Sequence, residues 1–186
     1  MRRLLWIAFV IFTFTCPMVT VAQTAPSRLS LAPIPANNTD LDAEFLTGIQ
    51  GALEDEMVVI DSGIGLAALR AFDSVKPFNM DLDQGRNLGE AVGAQILMIF
   101  ETSLQPRTSF SASTSHEAFI SIYLVSSKTG RLLGWRLFSF VEPSEDQAIA
   151  ALWNSKNEIL NWMSSLIAES TANDLHFITN RKEGLL

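Results

Sequence analysis

The segment Gly63-Ile64-Gly65-Leu66-Ala67-Ala68 has the spacing with the strongest claim on chemistry. Gly-x-Gly-x-x-Ala between a strand and a helix is how dinucleotide-binding folds bring backbone N–H groups onto a pyrophosphate. Such a site also needs an acid at the end of the next strand to hold the ribose. Asp81 and Asp83 follow at about the right distance of ~20 residues, but they stand at a helix start with no convincing strand before them. The segment is therefore read as a helix start with two permissive glycines. His116 and His176 are the only histidines, and no His-x-x-x-His or His-Glu-x-x-His spacing exists, which removes a zinc-protease site. Serine hydrolysis needs a serine, a base and an orienting acid. No Gly-x-Ser-x-Gly occurs, and the serines cluster in a polar stretch where solvation accounts for them. Glu54-Asp55-Glu56 could hold a cation but reads as a solvated helix end. Asp81-Leu82-Asp83 resembles a chelating pair that helix capping explains as well. Trp135, Trp153 and Trp162 could line a ligand groove; their places on a strand and an amphipathic helix predict core packing instead. No catalytic, cofactor-binding or metal-ligating residue is assigned, and no cofactor is expected.

These residues sit in a chain of 186 residues, 48% hydrophobic and 18% charged, with a formal net charge of −7. The length suits one domain, and the apolar content is too high for a disordered chain. An acidic surface repels phosphate backbones, so nucleic acid is not an expected partner. The single cysteine, Cys16, excludes a disulfide scaffold and a cysteine-ligated zinc site.

The elements follow from periodicity. Residues 28–34 alternate and are bounded by prolines, as a strand. Leu41, Phe45, Leu46, Ile49 and Leu53 recur at helical spacing behind the capping candidates Thr39 and Asp40. Met57 to Ile60 is a β-branched run that reads as a buried strand. Two helices follow, roughly 64–72 and 82–92. Asp81 and Gln84 are spaced as a capping box for the second, in which Gly85, Gly89 and Gly93 lie four apart and permit a close backbone approach. Residues 95–102 form a strand. Ser103 to Ser115 reads as a polar loop with Arg107 and Phe110 exposed at a hairpin tip, candidates for contact with a protein partner. Residues 116–126 and 131–141 form an antiparallel hairpin turning at Ser127–Gly130, with Leu133, Trp135, Leu137 and Val141 on one face. A last helix begins at Ser144 and carries a broad apolar stripe from Ile149 to Ile167. The fold class is α/β (α+β): a single domain with a mixed sheet of about five strands and helices packed on it, in the order β-α-β-α-α-β-β-β-α.

At the amino terminus, Arg2 and Arg3 precede an apolar run from Leu4 to Phe14, and Thr20-Val21-Ala22 places small or tolerated residues before Gln23. That order is a secretory signal peptide. A retained anchor helix is the alternative, since the run to Ala22 approaches the ~20 residues needed to span a bilayer. A lipidated Cys16 is disfavoured by Thr15 before it and Pro17 after it. The organisation is thus signal peptide 1–22, lead-in 23–27, domain 28–170 and flexible tail 171–186, with periplasmic localisation and no stable membrane span after cleavage.

Three stretches carry a family likeness: Met57-Val58-Val59-Ile60-Asp61 with its short helix, Asn87-Leu88-Gly89-Glu90-Ala91-Val92-Gly93-Ala94-Gln95-Ile96-Leu97-Met98, and Ile122 through Leu133 with Lys128-Thr129-Gly130 at the turn. Together they resemble the envelope α/β domains shared by the TolB amino-terminal domain, the CsgG curli-secretion lipoprotein and the LpoB activator of penicillin-binding proteins. Gln95 stands where those families usually have aspartate. The resemblance implies that Gly93 stops a helix and Gly130 makes a hairpin turn. It implies a non-enzymatic binding or assembly module acting through an envelope protein partner, with a homo-oligomer as a further option. No catalytic residue carries over. The alternative function is a small-molecule or nucleotide-binding domain. The intact mass of protein purified from its native host is expected to begin at Gln23; a species retaining Met1 through Ala22 would show an anchor instead.

Overall fold

The computed structural model describes residues 28–72, 76–109 and 112–183, with side chains for 28–72, 76–108 and 115–170. The expected signal peptide and lead-in lie outside the described residues, as does Phe110. Strand β1 (Ser30–Pro35) leads into helix α1 (Asp40–Glu56), and a two-residue strand β2 (Val58–Val59) follows. Helices α2 (Ser62–Ala71) and α3 (Leu82–Val92) precede three long strands, β3 (Ile96–Ser109), β4 (Ala112–Ser126) and β5 (Leu132–Glu142). Helices α4 (Glu145–Asn154) and α5 (Lys156–Glu183) end the described chain. The sheet is mixed and five-stranded as expected, in the order β2-β1-β3-β4-β5. β1 runs parallel to β2 and β3, whose links are helical crossovers, while β3, β4 and β5 form an antiparallel meander.

Capping starts the helices where the sequence places it. The Thr39 hydroxyl accepts the Asp42 N–H at 3.2 Å, and the Asp42 carboxylate accepts the Thr39 N–H at 2.9 Å. Asp81 and Gln84 make the same reciprocal pair for α3, at 2.8 and 3.0 Å. Alternation then divides the sheet into two faces. On one, Leu31, Met98, Phe100, Ile120, Ile122 and Leu124 meet α1, α4 and α5 in the larger core. On the other, Ala32, Ile34, Leu97, Ile99 and Val125 meet α2 and α3 in a smaller one.

Four sequence expectations are corrected. The stretch expected to be a loop supplies, at residues 103–109 and 112–115, the far arms of β3 and β4, paired from Ser103↔Phe119 to Arg107↔Ser115 and again at Ser109↔Ala112. Leu104 still packs against the larger core, and the polar residues after it belong to an antiparallel ribbon. Met57 to Ile60 yields a short edge strand, with Val58 51% exposed. Trp135, Leu137 and Val141 share a face, but that face is open, while Phe138 and Phe140 point to the core. A register irregularity opposite Leu124 and Val125 shifts Leu133 over to join the core. The last helix is two helices broken at Ser155, whose hydroxyl turns back to the Leu152 carbonyl at 2.7 Å. The second extends to Glu183.

The glycine spacing in α3 has a clear use. The turn between β4 and β5 is laid directly on this helix. Gly130 has φ +72°, and a Cβ there would lie 1.9 Å from the Leu82 carbonyl oxygen; a Cβ on Gly89 would lie 2.2 Å from the Ser127 side chain and 3.0 Å from its Cα. The helix stop at Gly93 and the Thr129-Gly130 turn, two separate motifs in the sequence, therefore flank a single contact. Gly51, by contrast, faces open space from the interior of α1. Gly51→Ala should stabilise the fold by about 0.5–1 kcal/mol through helix propensity alone. Gly89→Ala, with the same propensity gain, should destabilise it by roughly 1–3 kcal/mol because the turn must move. Paired denaturant melts of the two variants check this.

Candidate functional site

The second face of the sheet is only half covered. Helices α2 and α3 pack over β1, the start of β3 and the end of β4. An aromatic row marks where their cover stops: Phe78 meets Tyr123 at 4.9 Å between ring centroids, and Tyr123 meets Trp135 at 5.8 Å. The Trp135 indole N–H donates to the Ser121 hydroxyl at 2.9 Å, which fixes the ring across β4 and β5. Beyond this row the face is bare among the described residues. Trp135 is 53% exposed, Leu137 48% and Val141 53%, with Phe119 and Ser139 beside them. Trp135, Leu137 and Val141 thus leave large apolar side chains open on one face of β5.

Glu117 anchors the polar side of this face. It stands on β4, is 6% exposed, and receives three neighbours. The Ser139 hydroxyl of β5 donates to Oε1; Gln105 Nε2 and Arg107 Nε of β3 donate to Oε2 at 2.9 and 2.6 Å. These side chains converge because the register sets Gln105 opposite Glu117, and the pleat returns Arg107 and Ser139 to the same face. The bonds from Ser139 and Gln105, joined by the Arg107 guanidinium, outweigh burial and lower the Glu117 pKa from 4.5 to about 2. A carboxylate this acidic and this fully engaged is a poor proton acceptor near neutral pH. It is an architectural charge that ties three strands together.

Arg107, expected at a mobile tip, thus stands on a paired strand and is held by Glu117, although its side chain remains 57% exposed. Glu117 itself was not read from the sequence. Its signal is a lone acid in an alternating strand, and it needs the pairing of residues 105 and 107 that a loop reading removes.

The other candidates disperse. The Gly63 N–H donates to the Asp61 carboxylate at 2.9 Å, and a Cβ on Gly65 would meet Ile34 at 2.8 Å, so both glycines serve capping and packing. Asp81 caps α3 and Asp83 pairs with Arg86. Glu54 binds Gln50, and Glu56 accepts from Ser164, while Arg28 reaches the Glu54 and Asp55 carbonyls that end α1. Among the described residues, no cluster of three His, Cys, Asp or Glu could hold a metal ion. His116 opens the core part of β4 beside Glu145, and His176 falls on α5. Trp162 packs edge-on against Phe138 in the core. Trp153 stacks on Phe45 and donates to Glu44 at 3.0 Å, where it also lines an apolar cleft of about 470 Å³ with Ile49 and Lys156. Trp135, expected in the core, is the exposed one. Among the described residues, no helix is long and apolar enough to cross a membrane.

No protein-family model and no curated protein matches the sequence. Among solved structures the fold is similar to lipoprotein GNA1162 from Neisseria meningitidis, at 15% identity over 78% of this chain and 99% of that one, with a TM-score of 0.43. It is similar to the DUF330 protein XCC0632 from Xanthomonas campestris, at 10% identity over 79% and 89%, with a TM-score of 0.46. It is also similar to the LpoB C-terminal domain from Salmonella enterica, at 12% identity over 64% and 87%, with a TM-score of 0.39. The likeness is one of strand and helix layout.

The depressed pKa of Glu117 has a stability consequence with a fixed sign. Because the folded value lies below the unfolded one, its contribution is fully present above about pH 4.5 and is lost as pH falls toward 2. Glu117→Gln should therefore cost roughly 1–3 kcal/mol at neutral pH. The gap to the unaltered protein should close as pH falls from about 4.5 to about 2. Denaturant melts across that range measure it.

Proposed function

We propose that this chain is an exported, non-enzymatic module of the bacterial cell envelope that works by binding another envelope polypeptide. The bare half of the sheet is its contact surface. The observation that carries this reading is the exposed row Trp135, Leu137 and Val141 on a strand held rigid by the Glu117 cluster. Aromatic and aliphatic anchors of this kind, rimmed by charge, are what protein interfaces bury at their centres. Arg107 forms the rim. Export rests on the Arg2-Arg3 start, the apolar run and the Thr20-Val21-Ala22 site, and it gives the protein a periplasmic address. The described polar cluster is satisfied internally and its carboxylate is held far below neutral pH, which supports binding over catalysis.

The test is capture of partners from envelope extracts with the unaltered protein and two variants. Leu137→Glu places a charge in the middle of the exposed row and should abolish capture with little change in melting temperature. The second variant joins Arg107 to Ser115 by an Asn-Gly turn, which matches their cross-strand pairing and removes the tip. It should weaken capture if the tip contributes and leave the fold intact. A partner retained at full strength by Leu137→Glu would remove the bare face from the proposal.

A further inference from the structure

Strand β5 ends the sheet, and among the described residues no strand pairs with its outer edge. It is eleven residues long. No proline interrupts Leu132 to Glu142, and Arg136 is the only charge before Glu142. The irregularity in its pairing with β4 lies at the Leu132–Gly134 end, leaving residues 136–142 in regular register. Edge strands of monomeric proteins are usually blunted by prolines, lysines or bulges, and this stretch has none of these.

The sequence of that stretch is a chemical palindrome: Arg136, Leu137, Phe138, Ser139, Phe140, Val141, Glu142. An antiparallel strand laid against it with Ser139 on the two-fold axis meets its own complement at every position. Arg136 faces Glu142 of the other copy, Leu137 faces Val141, Phe138 faces Phe140, and each pair occurs twice. The faces agree as well. Leu137, Ser139 and Val141 lie on the bare side, while Phe138 and Phe140 pack toward the helical layer. Shifting the pairing by one pleat to centre on Leu137 sets Arg136 opposite Phe138 and loses both charge pairs.

We infer that the occupant of this edge is a second copy of the same chain, joined β5 to β5 about a two-fold axis through Ser139 to make one continuous sheet. The contact is isologous, so each favourable pair counts twice. Cross-strand opposite charges and apolar pairs supply register, and the unpaired backbone groups of the edge supply hydrogen bonds. Arg136 already pairs with Glu158 on α5, with its side chain 41% exposed, so its guanidinium is oriented on the surface beside the edge. The inference rests on the β5 edge and its sequence and is independent of export and of any envelope partner.

Sedimentation velocity of the purified protein across a dilution series is expected to show a reversible dimer. Arg136→Glu and Glu142→Arg each set like charges opposite one another twice, and each should raise the dimer dissociation constant by about tenfold or more. The double variant R136E/E142R reverses every pair and should restore dimerisation. Glu142→Arg leaves the Arg136–Glu158 pair in place, so it reports even if Arg136→Glu disturbs the monomer. Register is read by disulfide formation in a Cys16→Ser background. A mixture of L137C and V141C proteins should cross-link under mild oxidation, and L137C alone should not. A protein that sediments as a monomer throughout, a dimer indifferent to the charge swaps, or cross-linking by L137C alone would each overturn the inference.

Discussion

A mismatch of length governs this molecule: β1 has six residues and its neighbour β3 has fourteen. For its first five residues β3 is paired on both sides; past Phe100 its β1 side has no strand. The backbone N–H of Thr102 falls just beyond that point and is buried. Asp42 takes it at 2.8 Å and the Thr102 hydroxyl at 2.7 Å, through the carboxylate oxygen that is not engaged in capping α1. One side chain thus ends a strand pairing, starts a helix and docks that helix on the sheet. An unsatisfied N–H in this position would cost roughly 1–3 kcal/mol. With the break managed, β3 and β4 run on past β1, with Leu104 and Ala118 still on the larger core and the opposite face left bare.

That face is organised by two opposite devices. The aromatic row through Tyr123 ends the second core by packing, while the Glu117 cluster holds the outer strands by charge. Between them lies the apolar row on β5. A buried ion cluster is seldom the most stabilising choice for a site, and hydrophobic replacements are often as good. What it adds here is alignment: Gln105, Arg107, Glu117 and Ser139 satisfy one another in one register of three strands. A slip by one residue would turn every one of these side chains to the other face.

Much of this was legible in the sequence. Thr39 and Asp81 announce their helices because capping chemistry is local, Gly85 and Gly89 announce a close contact, and Gly93 announces the helix stop. The mixed five-stranded sheet follows from the alternation of helical crossovers and hairpins. What was hidden is what depends on partners distant in the chain. Residues 103–109 are a strand in which Leu104 alone meets the core, so a periodicity reading finds no alternation there. On β5 the alternation was visible but its sign was not. Phe138 and Phe140 oppose Trp135, Leu137 and Val141 in equal strength, and only the helices above decide which set is inside. Glu117 required the register, and the register required the strand. Ser155 breaks a helix whose apolar stripe continues across it, and the stripe alone gives no sign of the break.

The far edge of the sheet has its own logic. β1 carries Pro33 and Pro35 in a position flanked by β2 on one side and β3 on the other, where proline is normally excluded. β2 reaches only Ser30 and Leu31, so both prolines stand past its end, on the side where no N–H is called for. That edge therefore offers a two-residue strand followed by imino acids that cannot donate, which makes it a poor template for any incoming chain. Of the two strands that end the sheet, β5 alone offers a long run of backbone to an incoming chain, so a β5-to-β5 pairing has no counterpart at β2 through which to extend into a fibre.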